Sequence, residues 1–153
     1  MKKLIIVAGL ALLIYACADN TSPKEAPAKP NETASTTAYD TAKGAGKFTR
    51  VDVTPALNVK MAESGQKTFD LKCSSCHKLS DEKLVGPGWK GVTGRHTPEW
   101  IMNFVTNPDE MLQKDPKAQA MLEICLVKMP NQNLSDEEAR NVYEFMRKND
   151  GIK

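Results

Sequence analysis

Apolar residues recur at intervals of three and four along residues 61–72, and that spacing places them on one face of an α-helix. The face consists of Ala62, Gly65, Phe69 and Cys73, with polar residues between them. The pattern therefore predicts an amphipathic helix that runs into Cys73.

A second helix is predicted after Ser135. Ser135 and Glu138 have the spacing of a capping box, in which each side chain bonds the backbone N–H of the other residue. Gly151 suits the end of this helix, because glycine readily adopts the left-handed conformation found there. The apolar stripe of the helix consists of Ala139, Val142, Tyr143, Phe145 and Met146.

Two shorter helices are predicted between these. Thr97 and Pro98 are typical of a cap and a first helical position, and Asn107-Pro108 is expected to end the helix that they open. Its apolar residues are Trp100, Ile101, Phe104 and Val105. Residues 118–127 form the other helix, with Ala118, Met121, Leu122 and Cys125 on one side. No strand candidate exceeds a few residues, so the pattern predicts an all-α fold of four to five short helices.

The chain begins with a segment that has the form of a signal peptide, residues 1–16. Lys2 and Lys3 precede an apolar run that is too short to span a bilayer comfortably. The run ends in Ile14-Tyr15-Ala16-Cys17, which resembles the lipobox of bacterial lipoproteins, where the cysteine is lipidated after cleavage. We therefore expect export and a lipid anchor at Cys17. The alternative is ordinary cleavage nearby, which would leave Cys17 as a plain thiol.

The next segment, residues 17–47, is rich in Thr, Ser, Pro, Ala, Lys and Glu, and Tyr39 is its one large apolar residue after the cysteine. Such a composition cannot bury enough surface to fold by itself, so we expect a flexible tether. A folded domain is expected at residues 48–153, a normal size for one domain. Without Lys2 and Lys3, 19 basic residues balance 19 acidic ones, and no basic patch suggests a nucleic-acid partner.

The residues that carry chemistry follow the first predicted helix directly, as Cys73-Ser74-Ser75-Cys76-His77. The C-x-x-C-H spacing is that of a covalent haem site, in which two thiols form thioether bonds to one macrocycle and the histidine ligates the iron. We therefore predict one haem c, attached through Cys73 and Cys76, with His77 as an axial ligand. Export agrees with this prediction, because such attachment takes place outside the cytoplasm.

Two other kinds of site also use a C-x-x-C pair. A zinc site would need two more ligands at matching spacing, and the remaining candidates, Cys17, His96 and Cys125, are badly placed for it. A thioredoxin-like dithiol would need a βαβ context, and no strand-rich stretch precedes Cys73. Haem attachment is therefore favoured over both.

Motifs on either side of the haem motif resemble those of the class I cytochromes c, the small bacterial monohaem kind, across about residues 50–150. In that family a glycine and a phenylalanine, here Gly65 and Phe69, mark a first helix that crosses a C-terminal helix carrying an aromatic residue, here Phe145. The resemblance implies the cytochrome c fold around one covalently bound haem. It also implies that Gly65 allows the two helices to approach closely.

A second shared motif is Gly86-Pro87-Gly88-Trp89-Lys90-Gly91-Val92-Thr93-Gly94-Arg95. By the resemblance, the carbonyl of Pro87 accepts the second ring N–H of His77, a bond that fixes the ring and raises its basicity. Arg95 is expected to contact a haem propionate, with a solvated arginine as the alternative.

An electron-transfer haem needs a second axial ligand opposite His77, and methionine there raises the reduction potential relative to histidine. Met129 differs from the other methionines of the domain because it precedes Pro130 in a loop before the last helix, which resembles the Met-Pro ligand loop of the family. We expect Met129 to be this ligand. His96 is the alternative, and if it is not a ligand it is expected on the surface beside Arg95.

Cys125 is left over after these assignments. A fourth thiol in an exported protein could pair between chains or react, whereas its apolar helical neighbours favour a buried and inert thiol.

If protein side chains fill both axial positions, no open site is left for a substrate, and the expected function is one-electron transfer rather than catalysis. We expect a tethered, monomeric haem domain on the periplasmic face of a bacterial membrane, carrying electrons from a respiratory donor to a terminal reductase or oxidase. The alternative is a haem enzyme or gas-binding domain with a labile sixth ligand. A haem sensor would ordinarily need an output domain, which we do not expect here.

Lysines near the haem motif and the ligand loop predict a weakly positive ring that steers an acidic partner, with evenly spread surface lysines as the alternative. They are Lys72, Lys78, Lys83, Lys90 and Lys128.

Overall fold

The computed structural model describes residues 39–153, so the leader, Cys17 and most of the predicted tether lie outside the described residues. The described part contains six helices: α1 (Val59–Lys72), α2 (Val92–Arg95), α3 (Pro98–Thr106), α4 (Pro108–Lys114), α5 (Pro116–Cys125) and α6 (Asp136–Asn149). Residues 39–153 contain no strand. The predicted all-α class is therefore confirmed.

The prediction of four to five helices was too low, because six helices occur in the described residues. One of the additional helices, α2, is a single turn. The other, α4, begins at Pro108, which the pattern predicted only as the end of α3. The Asn107 side chain accepts a hydrogen bond from the backbone N–H of Glu110, so the same Asn-Pro pair closes one helix and opens the next.

The central contact of the fold is the crossing of α1 and α6 at Gly65. A Cβ at this position would lie 2.0 Å from the backbone oxygen of Asn141 and 2.9 Å from Cβ of Phe145. Phe69 of α1 packs against Phe145, with ring centroids 5.5 Å apart, and against Trp89, with centroids 4.7 Å apart. The crossing expected from the resemblance is therefore present.

The predicted apolar faces form the core, and α5 is the exception. The core residues of α1, α3 and α6 are Ala62, Phe69, Trp100, Ile101, Met102, Val105, Ala139, Val142, Tyr143, Phe145 and Met146. On α5 only Ala118 is fully buried. Met121, Leu122 and Cys125 are partly exposed and line a cleft. The partly exposed face of α5 therefore borders this cleft and not the protein core.

Residues 39–58, here called the N-terminal strap, precede α1 and contain no helix. The first part lies against α3, α4 and the start of α5, and residues 54–58 contact α6. The Tyr39 hydroxyl donates a hydrogen bond to Oδ2 of buried Asp115 at 2.6 Å. The backbone N–H of Phe48 donates to Oδ1 of Asn103 at 2.9 Å, and Ala45 is buried in the core. Residues 39–47, which the composition assigned to the tether, thus pack on the helical unit.

None of the helices within residues 39–153 is both long enough and apolar enough to cross a membrane.

Candidate functional site

The C-x-x-C-H motif forms a tight turn at the end of α1. Cys73 is the C-cap of this helix and donates its N–H to the carbonyl of Phe69. The backbone N–H groups of Cys76 and His77 both donate to the Cys73 carbonyl, at 3.1 and 2.9 Å. The Cys76 carbonyl in turn accepts from the N–H of Gly86 at 2.9 Å. These bonds fix the motif against the Gly-Pro loop that follows it.

The imidazole of His77 is oriented by that loop. Its Nδ1 lies 2.9 Å from the carbonyl oxygen of Pro87, the acceptor implied by the resemblance. Because a carbonyl oxygen only accepts, Nδ1 must carry the hydrogen, and Nε2 keeps a lone pair for a metal. Burial lowers the pKa of His77, and the bond to Pro87 opposes this in part. The ring is therefore neutral near pH 7, which is the form that ligates iron.

Gly86 provides the space for this ring. A Cβ at Gly86 would lie 2.4 Å from Cε1 of His77 and less than 3 Å from both ring nitrogens. Only glycine fits there without moving the imidazole. Sequence reasoning recorded Gly86 as part of a shared motif and gave it no role, although a glycine directly before the predicted acceptor Pro87 was the available signal.

The two cysteines of the motif have different surroundings. Cys73 is buried and Cys76 is partly exposed. Burial raises the pKa of the Cys73 thiol to about 11. A dithiol redox site depends instead on a lowered cysteine pKa, so the thioredoxin-like alternative finds no support here. Residues 39–153 also contain no cluster of three or more Cys, His, Asp or Glu side chains that could hold a metal ion, and the zinc alternative has no ligand set in this part of the chain.

Three adjoining clefts open beside the motif, with volumes of about 580, 600 and 710 Å³. His77 and Met129 line all three clefts. Cofactor sites are typically concave and largely apolar. The other apolar residues of the first cleft include Val85, Phe104, Leu112, Met121, Leu122 and Val127. Two thiols, an imidazole, a thioether and apolar walls together fit a flat, covalently attached iron macrocycle.

Met129 lies in a loop that is held at both ends. Before it, α5 ends at Leu126 in the left-handed conformation, with φ of 61°. Lys128 forms an ion pair with Asp109 of α4. After it, the capping box of Ser135 and Glu138 begins α6, as predicted. A thioether in such a loop has a restricted position, which an axial ligand requires.

The other methionines of the domain are less well placed. Met121 lines two of the clefts and Met146 lines one, while Met102 and Met111 are buried in the core. Met61 lies in the first turn of α1. Met129 is the methionine that shares all three clefts with His77.

His96 was expected on the surface if it is not a ligand, and this expectation was wrong. Its ring stacks on Trp100, with centroids 3.9 Å apart and planes 14° apart, and it is half-buried. It lines the 600 Å³ cleft together with His77 and Met129. Trp100 lies in the first turn of α3, and stacking on its ring removes the apolar part of the His96 imidazole from water.

Arg95 and Cys125 also lie at the clefts. Arg95 is exposed, and its guanidinium donates to the carbonyl oxygens of Lys90 at 2.6 Å and Gly88 at 3.3 Å. These bonds stabilise the loop at residues 88–90, and the Arg95 side chain also lines the 600 Å³ cleft. Cys125, expected to be either buried or reactive, is partly exposed on the wall of the first cleft.

Comparison with known proteins agrees with this site. A family model described as cytochrome c matches residues 62–150. The protein "Cytochrome c-type cyt cy" of Rhodobacter capsulatus is 40% identical over 47 residues, which are 31% of this chain and 24% of that protein. The match thus spans about a quarter of the curated relative.

Solved structures give a longer match. A cytochrome c from Rhodothermus marinus is 31% identical, with a TM-score of 0.66, and the match covers 69% of this chain and 90% of that one. An engineered form of that protein bound to a carbene intermediate is 30% identical, with a TM-score of 0.63 and the same coverage.

Proposed function

The chain belongs to the cytochrome c family, and on that premise we propose that it is a membrane-tethered one-electron carrier whose haem iron is held between His77 and Met129. Proteins of this family carry a covalently bound haem c and act as haem-based electron carriers. The axial pair, the tether and the partners are the proposed parts.

The observation that carries the axial assignment is that His77 and Met129 line the same three clefts. When bound, the haem iron supplies one reversible oxidation and reduction. Three features of the chain support this redox reaction. Pro87 fixes the His77 ring, the Met129 thioether favours a high potential, and the apolar walls keep water away from the metal.

A carrier needs no open coordination position, whereas an enzyme does. The engineered Rhodothermus marinus relative is described with a bound carbene intermediate, so displacement of the sixth ligand is the alternative that has to be tested. Carbon monoxide binds reduced haem iron only where a position is open or easily vacated. It therefore separates a carrier from a ligand-binding haem.

The test compares Met129→Ala with Met121→Ala, a matched change at a methionine that lines two of the same clefts. We expect the oxidised wild type and Met121→Ala to show the methionine-to-iron charge-transfer band, and Met129→Ala to lose it. The reduction potential should fall and carbon monoxide should bind in Met129→Ala alone, because a strong sixth ligand is gone.

Retention of the band in Met129→Ala would show that another residue is the ligand. Rapid carbon monoxide binding by the reduced wild type would favour the enzyme or gas-binding alternative.

We further propose that the protein is exported and held at the periplasmic side of a bacterial membrane through lipidated Cys17. The support is the signal-like segment and the lipobox-like Ile14-Tyr15-Ala16-Cys17, both outside the described residues. A tethered monohaem carrier suits exchange between a respiratory donor and a terminal reductase or oxidase, since both partners lie at the same membrane.

A further inference from the structure

The C-terminal end of α5, which leads to Met129, is only weakly held by packing. On this helix Ala118 alone is fully buried. Ile124 is 68% exposed and Leu126 is 83% exposed. Leu126 ends the helix in the left-handed conformation, which costs free energy for a residue that has a Cβ. This end of α5 therefore needs support from another part of the chain.

The sequence of α5 does not supply that support. The last carbonyl groups of a helix have no partner within it, and a cation near the last turn is favourable there. Helices α1, α2, α4 and α6 each carry Lys or Arg in the last turn, whereas α5 carries none. A lysine from another segment takes this place, because Nζ of Lys83 donates to the carbonyl oxygen of Ile124 at 2.9 Å.

Lys83 belongs to the loop that follows the haem motif and positions His77. The carbonyl of Pro87, at the end of this loop, lies 2.9 Å from the His77 ring. The bond from Lys83 to Ile124 thus joins the histidine side of the first cleft to the helix that leads to Met129.

Few other polar contacts hold this helix end and the loop after it. Within the described chain, side chains connect residues 120–134 to the remaining residues at two places, the Lys83 bond to Ile124 and the ion pair of Lys128 with Asp109. The ion pair attaches the loop to α4, and the Lys83 bond attaches the end of α5 to the His77 loop. A weakly packed helix end opens locally, so a single bond can change how often it opens.

We propose that Lys83 is a positioning residue for the sixth iron ligand. Its ammonium group holds the end of α5 against the His77 loop, and so it slows the departure of Met129 from the iron. This role rests on the proposed pair of His77 and Met129 as axial ligands.

The test measures how fast the sixth ligand leaves the iron in the oxidised, full-length holoprotein. Imidazole is the probe, because at high concentration its binding is limited by the departure of the ligand that it replaces. The methionine-to-iron charge-transfer band follows the reaction. We expect the limiting rate to rise about three- to tenfold in Lys83→Met, because the bond to Ile124 is lost. Lys83→Arg should keep the wild-type rate, since a guanidinium can donate to the same carbonyl.

Lys90→Met is the matched control. Lys90 lines a cavity of about 480 Å³ together with Lys83 and Ile124, and its ammonium group forms no hydrogen bond or ion pair within the described residues. The variant therefore removes the same charge without removing a link, and we expect the wild-type rate. A limiting rate that is unchanged in Lys83→Met, or raised equally in Lys90→Met, would overturn the proposal.

Amide hydrogen exchange of the holoprotein gives a second readout, without any added ligand. The N–H of Leu126 donates to the carbonyl of Leu122 at 2.8 Å at the end of α5. We expect this amide to exchange faster in Lys83→Met than in Lys83→Arg or Lys90→Met, because the helix end opens more often. Equal exchange in all three variants would contradict the proposed role.

The charge-transfer band also separates this proposal from the axial pair. If Met129→Ala keeps the band, the axial pair fails and the role of Lys83 fails with it. If Met129→Ala loses the band and Lys83→Met keeps the wild-type limiting rate, the axial pair stands and only the role of Lys83 fails.

Discussion

Gly86 and His77 show at the scale of single residues how the proposed iron ligand is positioned. The imidazole lies between the carbonyl of Pro87, 2.9 Å from Nδ1, and the Cα of Gly86, where a methyl group would collide with the ring. The ring is thus fixed by one bond and by the lack of one side chain. Both features come from adjacent residues of one loop, so a change at either should act on the iron through His77.

Gly86→Ala is expected to displace His77 and weaken its bond to iron, because a Cβ would lie 2.4 Å from Cε1. Changes to groups that orient a metal ligand typically cost about 10–100-fold in metal affinity. The midpoint for loss of His77 ligation in guanidinium, followed by haem absorbance, should fall clearly.

The control is Gly94→Ala, since a Cβ at Gly94 meets nothing within 4 Å. Equal midpoints for Gly86→Ala and Gly94→Ala would show that the loop accommodates the methyl group.

A role that depends on local spacing can be proposed from the sequence, whereas a position that depends on tertiary contacts cannot. Cys73, Cys76 and His77 are recognisable because their chemistry needs them within five residues of one another. His96 was expected at the surface because nothing in its neighbourhood shows that its ring stacks on Trp100. The stacking depends on how α2 meets α3, which sequence spacing does not report.

At the scale of helices, the crossing of α1 and α6 fixes the distance between the haem motif and the C-terminal helix. Gly65 permits backbone contact with Asn141, and Phe69 and Phe145 fill the space beside it. The attachment loop follows α1 directly, so its position relative to the core depends on this contact. Amphipathic spacing predicted both helices, because each buries one apolar face.

Gly65→Ala should destabilise the holoprotein by about 1–3 kcal/mol, the usual cost of forcing extra volume into a packed contact. The added Cβ would lie 2.0 Å from the Asn141 carbonyl oxygen, so the helices must move apart. Guanidinium denaturation gives the free energy of unfolding.

Gly94→Ala again serves as the reference, and there we expect no loss, because alanine is the better helix former and has room. A neutral Gly65→Ala would mean that the close approach contributes nothing to stability.

The short helices were harder to predict than the long ones. The Asn107-Pro108 pair was interpreted only as a stop signal, although the acidic residues Asp109 and Glu110 that follow are typical of a first helical turn. A one-turn helix such as α2 has too few residues for periodicity to be visible. Its single turn is instead tied to α6, because Asp150 accepts bonds from Gly91 and Thr93.

At the scale of the whole molecule, the predicted ring of lysines is partly neutralised. Lys72 pairs with Glu138 at 2.9 Å and Lys78 pairs with Glu82 at 2.7 Å. Lys128 pairs with Asp109. Surface ion pairs of this kind add little stability, but they reduce the field that a partner meets.

Electron transfer to an acidic partner should therefore slow only modestly as salt rises. We expect less than about a tenfold fall between low and physiological ionic strength, where the screening length is about 8 Å. Stopped-flow rates across a salt series measure this. A rate that is independent of salt would show that electrostatic steering does not contribute to electron transfer.

Cys17→Ser tests the proposed anchor in the full-length protein. We expect this variant to move from the membrane fraction to the soluble periplasmic fraction with its haem intact, because the lipidated thiol is lost. Cys125→Ser is the matched control and should stay with the membrane. Membrane association of both variants alike would contradict lipidation at Cys17.

The N-terminal strap determines where the rest of the chain joins the folded unit. Tyr39 is bonded to Asp115, and Asp115 also caps α5, the helix that leads to the Met129 loop. A mechanical load applied through the preceding residues would therefore reach the Tyr39–Asp115 hydrogen bond, and with it the start of α5, first. If the protein is held at a surface by its N-terminus, as proposed, the Tyr39–Asp115 hydrogen bond is the first contact of the described residues to bear the tension, and it lies on the helix that leads to the Met129 loop.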